Sequence, residues 1–300
     1  MNLSCRMLLC AALAALTACG SSHPGGAPAV STTAPVAATH FTPSADGVSI
    51  AWHRHGHGEP AVVLIHGWAA DSSIWRAQLA ALAARYSVVT LDLAGQGASG
   101  ANRQTWSLRN FAQDVAAVAA RLPDAHIVLV GQGMGGPVAL EAAPLIGARL
   151  RGIIGVETFR TIGLGPPAPS QVQHDLQPFR ADFTGALRRF VTGTLFHPHT
   201  DPAVVRSVAD LMARTAPDRG LAALSELNSL DYASILPAVR APITVIDSDL
   251  GGAVDAARLH HVVPRLRVIT LKGDDSFPML DDVPRFNATL LQALDSLAAR

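Results

Sequence analysis

The residues best able to do chemistry stand in short polar stretches that follow apolar runs. The richest is Gly131-Gln132-Gly133-Met134-Gly135-Gly136, directly after Ile127–Val130. Through Gly131, Gly133 and Gly136 it matches G-x-G-x-x-G, a turn that lets backbone approach a pyrophosphate, and Glu157 closes the next run where a ribose-binding acid would stand. On that reading the chain is a dinucleotide-dependent enzyme. Against it, the fingerprint normally belongs to the first strand–helix–strand unit, and here three strands precede it. His53, His55 and His57 alternate, so on an extended strand they share one face that could hold a metal. No carboxylate pattern accompanies them, and they read as exposed polar residues running into the Gly56/Gly58 turn. His197-Pro198-His199 is a weaker version of the same pattern. No metal site is expected. His66 closes the run Ala61–Ile65 and reads as structural.

The elements that must position these residues follow from periodicity. Val48–Arg54 alternates after the turn signal Asp46-Gly47 and predicts a strand of a hairpin. Ala61–Ile65, Val88–Leu91, Ile127–Val130, Ile153–Val156, Ile243–Ile246 and Leu266–Leu271 are short apolar runs. Helical patterns separate them: Ser72–Ala84, Leu108–Leu122, Met134–Ile146, Ala253–Val262 and a last helix over Pro284–Ala299. Continuous apolar strands alternating with helices predict a mostly parallel sheet covered on both faces. Phe159 to about Ala233 breaks the rhythm and predicts a helical insert over one edge. In such sheets ligands bind at the carboxyl ends of the strands, which is where the polar stretches lie.

Taken in order, those ends are His66-Gly67-Trp68, Asp92-Leu93-Ala94-Gly95-Gln96-Gly97-Ala98-Ser99, the glycine loop, and Phe277-Pro278-Met279-Leu280 near the C-terminus. The series resembles the α/β-hydrolase fold family from about Phe41 onward, and the insert resembles that family's cap. The resemblance implies a Ser–acid–His triad with an oxyanion hole, the serine on the sharp turn G-x-S-x-G. Here the nucleophile position is Gly133. The histidine position, just before Phe277, is Ser276, and no histidine follows His261. The acid position after Ile243–Ile246 aligns with Gly251; an alternate acid place after Ile153–Val156 holds Glu157, either a retained acid or a buried partner of Arg160. The oxyanion hole would use the backbone N–H groups of Trp68 and Met134, which depend on no particular side chain. Asp92 and Ser99 read as loop-stabilising residues. Asp274 and Asp275 crowd the histidine position and are expected to make the pocket mouth negative.

The physical consequence is direct. Glycine cannot attack a carbonyl, and Ser276 is no general base near neutral pH. The sequence therefore predicts a catalytically impaired protein that binds a small-molecule, acyl or peptide carbonyl ligand without a cofactor. A working hydrolase of small esters or amides with a non-standard residue set is the alternative.

The N-terminus and composition bound the setting. Met7–Ala18 is apolar, uncharged and too short to span a bilayer, so it reads as a signal segment. Leu16-Thr17-Ala18-Cys19 resembles a lipoprotein cleavage site, which implies a signal peptide over 1–18, lipid on Cys19 and a bacterial envelope location. Residues 19–38, rich in Gly, Ser, Pro, Ala and Thr, read as a flexible tether to the domain at 39–300. Cys5, Cys10 and Cys19 are the three cysteines, so the domain holds no thiol nucleophile and no disulfide. Lys+Arg 23 against Asp+Glu 23 gives no net charge, which argues against a nucleic-acid partner. Membrane association is expected through the N-terminal lipid alone.

Overall fold

The computed structural model describes residues 38–298 except Ala253. The signal segment, Cys19 and nearly all of the tether lie outside the described residues. Eight strands form one sheet: β1 (His40–Pro43), β2 (Ser49–His55), β3 (Ala61–Ile65), β4 (Ser87–Leu91), β5 (Ile127–Gln132), β6 (Leu150–Val156), β7 (Ile243–Ser248) and β8 (Arg267–Leu271). Their spatial order is β1-β2-β4-β3-β5-β6-β7-β8. β1–β2 and β2–β4 are antiparallel; every later pairing is parallel. β3, β4 and β5 are buried along their whole length, the signature of parallel strands covered by helices on both faces.

The helices are α1 (Leu79–Ala83), α2 (Leu108–Ala119), α3 (Gly135–Ile146), α4 (Pro169–Ala181), α5 (Phe183–Thr194), α6 (Pro202–Met212), α7 (Pro217–Asn228), α8 (Tyr232–Ile235), α9 (Ala256–Val262), α10 (Pro278–Asp281) and α11 (Val283–Ala298). Among the described residues no helix is long and apolar enough to cross a membrane. The continuous helix read over Ser72–Ala84 is instead a 3₁₀ turn, Ser72–Trp75, followed by the short α1. The Asp71 side chain caps the turn by accepting from Ser73 N. Gln78, at the break, is committed elsewhere, its Nε2 donating to Met279 O.

The order β4-β3-β5 fixes the site. The chain leaves β3 toward β4 on one side, then crosses to β5 on the other. Loops after β3 and β5 therefore diverge and leave a crevice at their carboxyl ends. Register aligns those ends, with Ile65 opposite both Leu91 and Gly131.

Helices α4–α8 roof this crevice and are fastened at two places. On one side Trp68 Nε1 donates to Gly220 O at 2.8 Å, and Thr215 Oγ1 donates to Ala69 O at 3.2 Å. On the other, the buried Asp275 carboxylate accepts from His197 N at 2.6 Å and Thr200 Oγ1 at 2.7 Å. Phe196 stacks on Phe277 beside that joint.

Candidate functional site

The turn between β5 and α3 is built by sterics. A Cβ on Gly131 would stand 2.2 Å from Gly135 O, and one on Gly135 would stand 2.5 Å from Ile65 O. Neither position admits a side chain while α3 starts this close to the strands. Gly133 differs. Its φ is +51°, in the left-handed region, yet an added Cβ would meet only Gly67 Cα at 3.9 Å. The backbone at this turn is left-handed, and there is room for a side chain. The glycine pattern of this loop is thus accounted for by close packing and one left-handed residue. Gly133→Ser is expected to lose about 1–2 kcal/mol for placing an L side chain at positive φ, a fall of about 2–8 °C in Tm. Differential scanning calorimetry checks this; an unchanged or higher Tm refutes it.

Beside the turn lies the β3 loop. His66 is fully buried and uses both ring nitrogens: Nδ1 donates to Gly67 O at 2.9 Å, and Nε2 accepts from Leu93 N at 3.0 Å. Burial holds its pKa below the ordinary value, so it stays neutral and structural. Asp92 and Ser99 brace the neighbouring loop. Asp92 accepts from Ser72 N and Ala98 N; Ser99 Oγ donates to Asp92 O and accepts from Ala51 N. Trp68 turns its ring into the roof, edge-on to Phe179, Phe183 and Phe190. Among the described residues neither Trp68 N nor Met134 N donates to a protein acceptor. Met134 is the N-cap of α3, so a helix dipole favours negative charge at its amide.

Between these loops and the roof is a cavity of about 280 Å³ lined by Trp68, Gly133, Met134, Phe190, Leu224 and Ser276, among others. No histidine and no cysteine lines it among the described residues. Gln132, which the sequence reading did not single out, also faces it. Its Nε2 donates to Ser276 O at 3.3 Å, and Oε1 is buried without a partner. The only sequence signal was its place inside the glycine loop.

Ser276 stands in the cavity wall, its N donating to Leu195 O. Asp274 and Asp275 do not act as expected. Asp274 pairs with Arg285 at 2.9 Å, and Asp275 is spent on the roof joint. Neither lines the cavity, because Arg285 holds one and the roof segment holds the other. Gly251 lies in an exposed turn past β7.

The acid is elsewhere. Val156 pairs with Ile246, so the next residues, Glu157 and Asp247, come side by side at the strand ends. The side chain of Glu157 (φ +50°) is buried, accepts from Ser248 N, and lies 3.6 Å from Arg160 Nη2; Arg160 Nε is 3.0 Å from Asp247 Oδ2. Glu157 is therefore the buried arginine partner rather than a ribose ligand. Two carboxyls share one guanidinium. Burial, then the Glu157 charge, push the Asp247 pKa well up, against the pull of Arg160; burial also raises Glu157. The native state thus holds a proton that an unfolded Asp247 releases above about pH 4. Stability falls as pH rises from there toward the raised value. Asp247→Asn removes that proton linkage, and its urea midpoint is expected to fall less than the parent's between pH 5 and pH 8. An identical fall in both proteins refutes the assignment.

The other sequence candidates are peripheral. His53 and His55 lie on β2, and His53 Nε2 meets Thr39 Oγ1 at 2.9 Å. His197 and His199 stack at 5.2 Å. Among the described residues no three His, Cys, Asp or Glu side chains gather as metal ligands would.

Comparison with known proteins agrees with this fold. The sequence profile of the alpha/beta hydrolase family matches residues 62–289. The pimeloyl-[acyl-carrier protein] methyl ester esterase of Xanthomonas oryzae pv. oryzae is 28% identical over 253 residues, covering 81% of this chain and 97% of the esterase. Among solved structures, a bromoperoxidase from Bacillus anthracis superposes with TM-score 0.75 at 20% identity, covering 86% of this chain and all of the other. An esterase from Thermogutta terrifontis gives 0.74 at 21%, covering 87% of this chain and 99% of the other.

Proposed function

The chain belongs to the alpha/beta hydrolase family, and from that premise we propose that it is a catalytically impaired member that binds an acyl ligand in the cavity beneath its helical roof. One observation carries the reading: a bare Cα at Gly133 faces a cavity that no histidine lines among the described residues. Without nucleophile and base, the residual catalysis of such a site comes only from binding and the oxyanion hole, about 10³–10⁴ over water.

What remains is suited to holding. The free amides of Trp68 and Met134 offer two donors for a carbonyl or carboxylate oxygen. Gln132 Oε1 offers one buried acceptor, which a carboxamide N–H or a hydroxyl would satisfy. Phe159, Phe190, Leu224 and Leu227 supply an apolar wall for the rest of an acyl chain. A carboxamide therefore matches the polar set more fully than an ester, which has no donor for Gln132.

The esterase relatives favour the alternative, a working hydrolase with a non-standard set. Its hydroxyls would have to be Thr158, Thr161, Tyr232 or Ser276, all in the cavity wall. Tyr232 is pushed above its ordinary pKa by burial, which opposes its use as a nucleophile. The test uses the purified chain with octanamide, octanoate and p-nitrophenyl butyrate. Calorimetry is expected to detect binding of the amide more tightly than the acid. A fluorophosphonate probe is expected to leave the protein unlabelled, and ester hydrolysis to match buffer. Covalent labelling, or turnover well above buffer that survives repurification, sinks the proposal.

The envelope setting belongs to the same proposal: lipid on Cys19 carries the domain on its tether. Metabolic labelling with palmitate is expected to mark the protein in a bacterial host and to disappear with Cys19→Ser. Persistent labelling in that variant rejects it.

A further inference from the structure

At the opposite ends of the strands from the cavity lies a second concavity, of about 910 Å³. The C-terminal turn of α3, the starts of β6 and β7, and the segment before β8 enclose it. Its lining includes Arg151, Arg240 and Arg265 and, among the described residues, no acidic residue. All three arginines are exposed. Arg151 donates to His126 Nε2 at 2.9 Å. Arg240 and Arg265 make neither an ion pair nor a hydrogen bond among the described residues. Other arginines of the molecule, Arg54, Arg85, Arg103, Arg160 and Arg285 among them, are neutralised by carboxylates; these two are not. The dipole end of α3 supplies only about half a negative charge, which does not balance three guanidinium groups.

The floor between the arginines is apolar: Ala143, Leu150, Val239, Ile243 and Val263 line it. Two of the few exposed large apolar side chains, Leu145 and Val262, directly adjoin lining residues in the chain. A ligand matching this surface carries an anionic head and an apolar body. Guanidinium groups suit phosphate through paired N–H donors. A peptide recognised through its main chain is less suited, because β6 and β7 are paired on both sides and offer no free strand edge.

We propose that this groove binds an anionic phospholipid, its phosphate against Arg151, Arg240 and Arg265 and the first part of its chains on the Leu150–Val239–Val263 floor. The site is independent of the cavity reading, since the two lie at opposite ends of the sheet.

The experiment titrates the full chain by calorimetry with dihexanoyl phosphatidylglycerol below its micellar concentration. Dihexanoyl phosphatidylcholine, inorganic phosphate and a hexaglutamate peptide are the comparison probes. Phosphatidylglycerol is expected to bind at least tenfold more tightly than any of the three, and the binding to weaken as salt rises. Arg240→Glu/Arg265→Glu is expected to weaken it at least tenfold with an unchanged melting curve. Arg206→Glu, an equivalent change on α6 in the roof, is expected to leave it unaltered. Equal binding of phosphatidylcholine, equal binding of free phosphate, tighter binding of hexaglutamate, or indifference to the double variant each overturns the proposal.

Discussion

Gly133→Ser/Ser276→His is expected to hydrolyse p-nitrophenyl butyrate at least about 100-fold faster than the parent, the lower end of what a positioned acid–base group contributes. The scaffold for that gain is in place. Gly133 already holds the left-handed backbone of the turn, and a Cβ there meets nothing closer than 3.9 Å. The Met134 and Trp68 amides are free, and Ser276 lines the same cavity. Gly133→Ser alone supplies a hydroxyl without a base and is expected to stay within a few-fold of the parent. Ser276→His alone supplies a base without a nucleophile and is expected to do the same. The non-additivity is the diagnostic, because residues of a triad act as a unit. If the double variant folds, with a melting curve close to that of Gly133→Ser, and is still silent, then Ser276 is not opposite the turn. The alignment of the histidine position then fails.

The second large effect concerns the frame. The Arg103 side chain is fully buried and donates to two carboxylates, Asp114 at 2.6 Å and Asp46 at 2.7 Å. Asp114 also accepts from Ser44 Oγ and from Ala94 N. One guanidinium thereby ties the β1–β2 turn, the loop after β4 and α2 together, and its face lies over Trp106 and Phe111. Burial already pushes the Asp114 pKa up against the pull of Arg103. Arg103→Met strands that carboxylate and is expected to lose about 3–5 kcal/mol of stability in urea unfolding. Arg103→Met/Asp114→Leu is expected to recover more than half of the loss, because the stranded charge and not the missing bond is the larger part. A loss under about 1 kcal/mol in the single variant, or no recovery in the double, contradicts this account.

Several features were legible along the chain because each depends on neighbours in sequence. Period-two and continuous apolar runs marked β2 to β8 within a few residues, since a buried parallel strand needs apolar side chains on both faces; β1, a four-residue edge strand, carries no such run. That position 133 carries no hydroxyl and position 276 no imidazole are facts of residue type, and no folding can change them. Proline at the first position of α4, α6 and α7 was available as a helix-start signal. Reading it would have divided the insert into its separate helices. The expected single helix after β3 failed because Asp71 caps a tighter turn and Gln78 is drawn to Met279, 201 residues away.

The tertiary structure decided what depends on distant partners. Asp275 and His197 are 78 residues apart, and Gln132 and Ser276 are 144. Periodicity gives no distance between such residues; parallel register and the crossovers between strands set it. For the same reason Asp274 and Asp275, adjacent to Ser276 in sequence, face Arg285 and the roof instead of the cavity. Glu157 and Asp247 share Arg160 only because β6 and β7 pair in register, and the three arginines of the far groove converge only because their strands begin at one end of the sheet. The sequence by itself determined which groups this protein has to work with, since side-chain chemistry is written one residue at a time. The fold decided which of them meet, since hydrogen bonds and charge pairs act over a few ångströms of space and are indifferent to separation along the chain.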